Sequence, residues 1–580
     1  SIDFMCFPNF DSPTIFGALL DSQKGGRFQI APVQKGVTTK QLYRPDSNIL
    51  LTRFLGGCGI AEISDFMTIS SDNHQSLVRR AKSVRGDVHF KMILDPRFDY
   101  GRVGHTIDAY EEEILFIPKR ADLPTLRLRS SIPLKVIDGI AIEEFTVKEG
   151  DSVMFVLEEA SEHTVSPSGH PEFHSKAFKE TLNFWHQWVG ATHYQGRWRE
   201  IVNRSALTLK MLTSKKHGSI VAAPTFGLPE EIGGGRNWDY RFTWIRDASF
   251  TLYGLIRLGY TEEAGNFMNW IEKRCADLNP DGSLQIMYAL DGHKILTEET
   301  LDHWEGYKGS KPVRIGNAAY EQKQLDIYGE LMDSVYLYNK YGQPISIDLW
   351  ENLTRLINWV CENWHQEDAG IWEIRGGPQK FLYSRVMCWV ALDRGIRLAR
   401  KRSFPCPLQK WFEMRDTIYH SILKDFWDKD LKAFVQYEGA KTLDASSLLM
   451  PLMKFISPTD PRWLSTLREI EKDLVTDSLV FRYKTVGGGA NLDGLEGEEG
   501  TFNMCSFWYV ECLARSGDVK KARFYFEKLI GFSNSLGLYS EEMGFDGKQL
   551  GNFPQAFTHL ALISAAVNLD HSLNIKHINW

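Results

Sequence analysis

The chain has 580 residues and a net charge of −7 at neutral pH, too long for one ordinary core, so two domains or one large barrel of helical hairpins is expected. The acidic balance and the lack of a basic block argue against nucleic acid as a partner, and no apolar run approaches the roughly 18 residues a membrane helix needs. The 17 Trp and 21 Tyr exceed what such cores require and suit a ring-shaped ligand such as a carbohydrate.

No signal peptide is visible at Ser1-Ile-Asp-Phe-Met-Cys-Phe7, which reads as a strand. The cysteines Cys6, Cys58, Cys275, Cys361, Cys388, Cys406, Cys505 and Cys512 are scattered, mostly in apolar surroundings, with no Cys-x-x-Cys pair. They read as free thiols of a reducing compartment, which leads to the expectation of a cytoplasmic protein.

Residues 1–160 carry a period near two with recurrent turn residues. Val88–Leu94, Glu113–Ile117 and Thr125–Arg129 read as strands, and Lys148-Glu-Gly-Asp151 reads as a hairpin turn between Phe145–Val147 and Val153–Leu157. Strand after strand without helices points to an antiparallel β-sandwich. Residues 161–200 read as a polar linker followed by a connecting helix, in which Phe173, Ala177, Phe178, Leu182, Trp185 and Val189 fall at helical spacing. A second helix around Trp198–Leu212 opens the next domain. From 201 to 580 the pattern is helix after helix, at 247–258, 262–275, 318–340, 346–364, 381–401, 407–426, 444–455, 463–474, 502–515, 518–531 and 554–570. No fixed-length repeat is evident. About a dozen helices in hairpin pairs suit a closed double ring, an (α/α)6 barrel whose functional groups come from loops at one end. The fold class is therefore α+β multidomain, a β-sandwich followed by an (α/α)6 barrel.

The densest stretch is Glu231-Ile-Gly-Gly-Gly-Arg-Asn-Trp-Asp-Tyr-Arg-Phe-Thr-Trp-Ile-Arg-Asp247. A glycine run permits close approach of the backbone. Flat aromatic faces beside an Arg–Asp pair suit a sugar, whose C–H face stacks while its hydroxyls need charged partners. Taken alone, Arg246–Asp247 reads first as a solvated pair at a helix start. The crowding of Trp238, Asp239, Tyr240 and Trp244 beside it favours the sugar.

Three carboxylate sites stand in the loops. Glu373 lies in Asp368-Ala-Gly-Ile-Trp-Glu-Ile-Arg-Gly-Gly377, with Trp372 lowering the polarity beside it, as a general acid near neutral pH requires. Glu541 lies in Gly537-Leu-Tyr-Ser-Glu-Glu-Met-Gly-Phe545, before the last helix. Glu498 and Glu499, before Gly500-Thr-Phe502, read as caps of the following helix. There is no His-Glu-x-x-His or dense His/Cys cluster, so no metal or other cofactor is expected. Gly-x-Ser-x-Gly is absent, and Gly233–Gly235 and Gly487–Gly489 follow no βαβ pattern, which argues against dinucleotide binding.

With these residues assembled, the chain resembles glycoside hydrolase family 15, the glucoamylase and trehalase-like inverting α-glucosidases, nearly end to end. Ser1-Ile-Asp-Phe-Met-Cys-Phe-Pro8 and Phe10-Asp-Ser-Pro-Thr-Ile-Phe-Gly-Ala-Leu-Leu20 are similar to the start of that family's sandwich. Arg236-Asn-Trp-Asp-Tyr-Arg-Phe-Thr-Trp-Ile-Arg-Asp247 resembles its signature. The resemblance implies that Tyr240, Trp244, Arg246 and Asp247 hold the non-reducing glucose, that Glu373 is the general acid with Trp372 beside the substrate, and that Glu541 is the general base. It implies that Trp304 and Tyr307 wall the pocket. Two features depart from the starch-degrading branch: Ile374 stands where that branch has a second Glu, and its Arg before Pro-Glu-Asp-Thr-Tyr has no counterpart beside Glu499-Gly-Thr-Phe502. Val313-Arg-Ile-Gly-Asn-Ala-Ala319 and Gln324-Leu-Asp-Ile-Tyr-Gly-Glu330 are similar to trehalase-like segments.

The resulting expectation is an exo-acting inverting α-glucoside hydrolase that releases β-glucose, with trehalose first and isomaltose or short α-glucans next. A disaccharide phosphorylase and a non-catalytic sugar-binding protein are the rivals, and the presence of both carboxylates counts against each. The expected partner is a small α-glucoside, with no nucleic acid and no membrane, and homo-oligomer formation is left open.

Overall fold

A computed structural model describes residues 1–69, 75–160, 167–169, 173–484, 494–495, 497 and 499–574. Gly487–Gly489 and Glu498 lie outside them. The chain forms two compact units.

The first unit comprises Ser1–Ala191 with Leu301–Gly309. Its larger antiparallel sheet has eight strands, in the order Thr38–Tyr43, Leu50–Gly56, Gly59–Met67, Ser76–Arg85, Ser152–Glu159, Leu126–Ser130, Glu113–Pro118 and His105–Ala109. The smaller has four, in the order Lys135–Ile137, Ile140–Val147, Val88–Asp95 and Arg27–Pro32. Alternation along each strand sends one set of side chains between the sheets. Phe155 of the larger sheet meets Phe145 and Phe28 of the smaller at ring-centroid distances of 5.7 and 6.4 Å.

Two expectations change here. Lys148–Asp151 closes no hairpin, because Ile140–Val147 pairs with Val88–Asp95 while Ser152–Glu159 pairs with Ser76–Arg85 and Leu126–Ser130. The turn, with Gly150 at φ +88°, carries the chain from one sheet to the other. The helix expected to link two domains, α1 (Phe173–Gly190), instead belongs to the first unit. Ile49, Phe66, Val78 and Val156 make the second face of the larger sheet apolar, and Ala177, Phe178 and Leu182 of α1 cover it.

The second unit comprises Thr192–Thr300 and Ser310–Trp580. Its helices are α2 (Arg199–Met211), α3 (Ile245–Leu258), α4 (Thr261–Ala276), α5 (Ile327–Tyr341), α6 (Ile347–Asn363), α7 (Leu382–Arg402), α8 (Leu408–Asp425), α9 (Leu449–Leu452, preceded by a 3₁₀ turn), α10 (Pro461–Asp473), α11 (Asn503–Arg515), α12 (Val519–Ile530) and α13 (Ala556–Asn574). Contacts run α3–α5–α7, on through the 3₁₀ turn before α9 to α11, then to α13 and back to α3, closing an inner ring. Helices α4, α6, α8, α12 and α2 pack outside it. This is the (α/α)6 barrel. Inner helices such as α7, α11 and α13 are buried almost all round. Outer ones such as α6, α10 and α12 bury a single stripe, as a helix with one solvated face must.

The predicted 318–340 helix starts late. Asn317 caps one 3₁₀ turn, Ala318–Glu321, and the chain leaves helical geometry at Gln322. The Leu325 N–H is then taken by the Asp368 carboxylate at 2.8 Å, so α5 begins only at Ile327. Among the described residues no helix is long and apolar enough to cross a membrane.

Candidate active site

The first turns of inner helices α3, α11 and α13 supply Arg246, Asp247, Met504 and Phe557 to one cavity, and the segments leading into α3, α7, α11 and α13 supply the rest of its polar lining. Tyr240, Trp244, Arg246, Trp372, Glu373 and Glu541 all line it.

Glu373 sits at φ +55°, a left-handed conformation that costs a non-glycine residue on the order of 1–3 kcal/mol and persists only where the surroundings impose it. The surroundings are visible. The Gln322 side-chain amide donates to the carbonyls of Glu373 and Ile374, both at 3.2 Å, and Arg246 Nη1 donates to the Ile371 carbonyl at 2.7 Å. Glu373 Oε1 accepts from the Trp244 indole at 2.6 Å and from Arg246 Nη1 at 3.2 Å, which leaves Oε2 as the oxygen not engaged by these donors. The Trp372 ring lines the cavity while its N–H turns to the Asp444 carboxylate at 2.9 Å.

Glu541 is 5% exposed. Its Oε1 accepts from the Tyr240 hydroxyl at 2.7 Å and from Gln555 Nε2 at 3.3 Å. Burial pushes its pKa up to about 7, against the opposing pull of the Tyr240 hydrogen bond and the Arg482 charge. Gly551, at φ +74°, leaves the space the carboxylate occupies: a Cβ there would stand 2.9 Å from Glu541 Oε2. The Tyr240 ring packs edge-on to Trp244 at 5.6 Å. A continuous series therefore runs from Glu541 through Tyr240 and Trp244 to Glu373, with the cavity between its ends.

At the same wall Arg246 Nε lies 3.4 Å from Asp247. Burial raises the Asp247 pKa to about 6, and the adjacent guanidinium opposes the rise. Buried Asp247 Oδ1 faces the Arg246 guanidinium as an ion pair but accepts no well-formed hydrogen bond from the described residues, which leaves it acceptor capacity in the cavity lining.

The structure separates other residues from this group. Asp239 forms a buried structural pair with Arg241 at 2.6 Å, and the Trp238 indole donates to Glu230 at 2.9 Å beneath the stacked guanidiniums of Arg314 and Arg375. Trp304 and Tyr307 do not line the cavity. Leu301–Gly309 belongs to the first unit, where Trp304 is 1% exposed, edge-on to Tyr100 at 6.2 Å. The family resemblance implied a pocket wall there, whereas this nine-residue segment groups with the sandwich unit. Glu499 does not cap α11. Its carboxylate takes Arg482 Nε at 2.7 Å and also pairs with Arg236, so it is neutralised in place.

Sequence reasoning missed several lining residues. Arg482 reaches the cavity with its guanidinium over the Phe502 ring at 4.8 Å. No local pattern marks it. Gln555 carries a signal in hindsight, since it stands 14 positions after Glu541 and directly before α13. Glu230 and Glu542 were also missed; an oxygen from each lies within 4.8 Å of one another and of Glu541, all three residues being buried.

Two carboxylates from separate loops of the helical barrel, Glu373 and Glu541, thus line one cavity with aromatic residues and an Arg–Asp pair. The model of glycosyl hydrolases family 15 matches residues 196–567, and that of the trehalase-like N-terminal domain matches residues 1–130. The chain belongs to glycosyl hydrolases family 15. It is 39% identical to a trehalase of Mycobacterium tuberculosis over 98% of this chain and 86% of that protein. It is 35% identical to a trehalase of Thermoplasma volcanium over 99% of this chain and 90% of that protein. Among solved structures, a bacterial glucoamylase complexed with acarbose superimposes with a TM-score of 0.74 at 15% identity, covering 98% of this chain and 91% of the other.

Proposed function

We propose that the protein is an exo-acting inverting α-glucosidase whose substrate is trehalose. The observation that carries the chemistry is the convergence of Glu373 and Glu541 on one cavity, each oriented by its own donors. Glu373 protonates the glycosidic oxygen. Glu541 takes a proton from a water that attacks the anomeric carbon from the opposite face, a geometry that needs roughly 6.5–9.5 Å between the carboxyl groups. A base whose pKa is raised to about 7 by burial is well matched to proton transfer near neutral pH. Arg246 and Asp247 hold the hydroxyls of the terminal glucose while Tyr240 and Trp244 contact its ring. The trehalases at 35–39% identity support trehalose, as does Ile374, which is buried and apolar where the starch-degrading branch carries a carboxylate.

The test is proton NMR of the first turnovers on trehalose. Inversion at one anomeric carbon yields one β-glucose from the cleaved side and one α-glucose from the departing side. Equal initial amounts of the two anomers support the proposal, whereas α-glucose alone means retention and removes Glu541 from the role of base. A panel of maltose, isomaltose and trehalose tests the substrate separately.

A further inference from the structure

Among the described residues, Glu541 stands in a group of four carboxylates, Glu230, Glu499, Glu541 and Glu542, with two guanidiniums, Arg236 and Arg482. Glu499 pairs with both arginines, and Arg236 stands 3.8 Å from Glu230. Tyr240 faces Glu541 as a hydroxyl donor, and the Glu373 carboxyl lines the same cavity.

The hydrogen bonds are distributed in a regular way. One oxygen of each cluster member is served: Glu230 Oε1 by the Trp238 indole at 2.9 Å, Glu541 Oε1 by Tyr240 at 2.7 Å, and Glu542 Oε2 by the Gly500 N–H at 2.8 Å. The other oxygen of each, Glu230 Oε2, Glu541 Oε2 and Glu542 Oε1, is buried and accepts no hydrogen bond from the described residues, although Glu230 Oε2 has Arg236 at 3.8 Å. Three buried carboxylate oxygens without a protein donor are costly if all are charged. Two protons remove the conflict: a carboxylic acid gains an O–H donor, and the four carboxylates then carry two negative charges against two guanidiniums.

We propose that Glu230 and Glu542 are both held as neutral carboxylic acids while Glu541 alone of the three is charged, and that they act as positioning residues for it by donating O–H within the cluster. The catalytic meaning rests on the reading of Glu541 as base. Burial pushes both Glu230 and Glu542 well above the usual carboxylate range, with the Glu541 and Glu499 charges adding to the effect on each. The two acids keep the cluster electrically balanced, so the charge on Glu541 is available to the water rather than spent against its neighbours.

The test compares full-length wild type with Glu230→Gln, Glu542→Gln and Glu541→Gln by infrared difference spectroscopy in heavy water at about pH 8, above the range in which Glu541 titrates. Glu230→Gln and Glu542→Gln are each expected to remove the carbonyl stretch of a protonated carboxyl, and Glu541→Gln to remove the bands of an ionised carboxylate. If Glu230→Gln or Glu542→Gln removes ionised-carboxylate bands instead, the proposal is wrong. Should one variant fail to fold, the other still decides its own residue. The acid limb of kcat/KM gives a second readout. Replacing a neutral acid by a neutral amide keeps the limb within about half a pH unit, whereas removing a charged neighbour would lower it by about a unit or more. Loss of turnover in Glu541→Gln tests the base assignment independently, because the infrared bands do not depend on catalysis.

Discussion

Tyr240→Phe removes one atom from the site and isolates one interaction. The hydroxyl donates to Glu541 Oε1 at 2.7 Å, inside a pocket where the carboxylate is 5% exposed, so solvent cannot replace it. A hydrogen bond to a charged group is worth about 1.5–3 kcal/mol, and one pKa unit corresponds to about 1.4 kcal/mol. The bond favours ionised Glu541, so its loss raises the pKa of the base by about 1–2 units. Glu541 acts when ionised, and the ascending acid limb of kcat/KM therefore moves to higher pH by that amount. Well below the limb the variant loses about 10–100-fold. Above it the deficit shrinks to whatever Tyr240 contributes by contacting the sugar. The assay is the pH profile of kcat/KM on trehalose from initial rates, with circular dichroism as a fold control. A limb that stays where wild type has it, with activity uniformly lower at all pH values, would refute the claim that Tyr240 acts through the ionisation of Glu541.

Three further outcomes are expected. Glu373→Gln lowers kcat on trehalose by about 10²–10⁴-fold and suffers less on an aryl α-glucoside, whose leaving group needs little protonation; equal losses on both would remove Glu373 from the role of acid. Asp247→Asn lowers kcat/KM by about 5–150-fold, the equivalent of about 1–3 kcal/mol for a buried partner left unpaired, and unchanged kinetics would place the glucose site elsewhere. Asp326→Asn raises the melting temperature at pH 8: burial lifts Asp326 from 3.8 to about 7, so the native state binds the extra proton and loses stability as pH rises through that window. The gain should vanish below about pH 4, where both states are protonated, and a gain independent of pH would show that ionisation is not its source.

Local patterns made the architecture legible. A period near two marked the strands at Val88–Asp95 and Glu113–Pro118, and helical spacing placed eleven barrel helices, most within two residues of their observed ends. Such signals survive because each residue's face is set by neighbours three or four positions away. The Arg236–Asp247 block and the loops holding Glu373 and Glu541 could likewise be picked out, since chemistry-bearing side chains crowd into short segments.

What joins those segments was not in any of them. Tyr240 and Glu541 are 301 positions apart, and only closure of the inner ring from α13 back to α3 brings them within hydrogen-bond reach. The same closure collects Glu230 and Glu542 around Glu541 and carries Arg482 to the cavity from a stretch without a motif. Trp304 shows the converse: the family resemblance implied a pocket wall, but tertiary contacts bury it in the sandwich unit. Lys148–Asp151 has the composition of a hairpin turn, yet the larger and smaller sheets compete for the strands on either side, and pairing across sheets is decided by the whole core rather than by four residues. Element type is a short-range property of this chain, whereas partnership between elements, and with it the buried environment that raises the Glu541 pKa, is a long-range one.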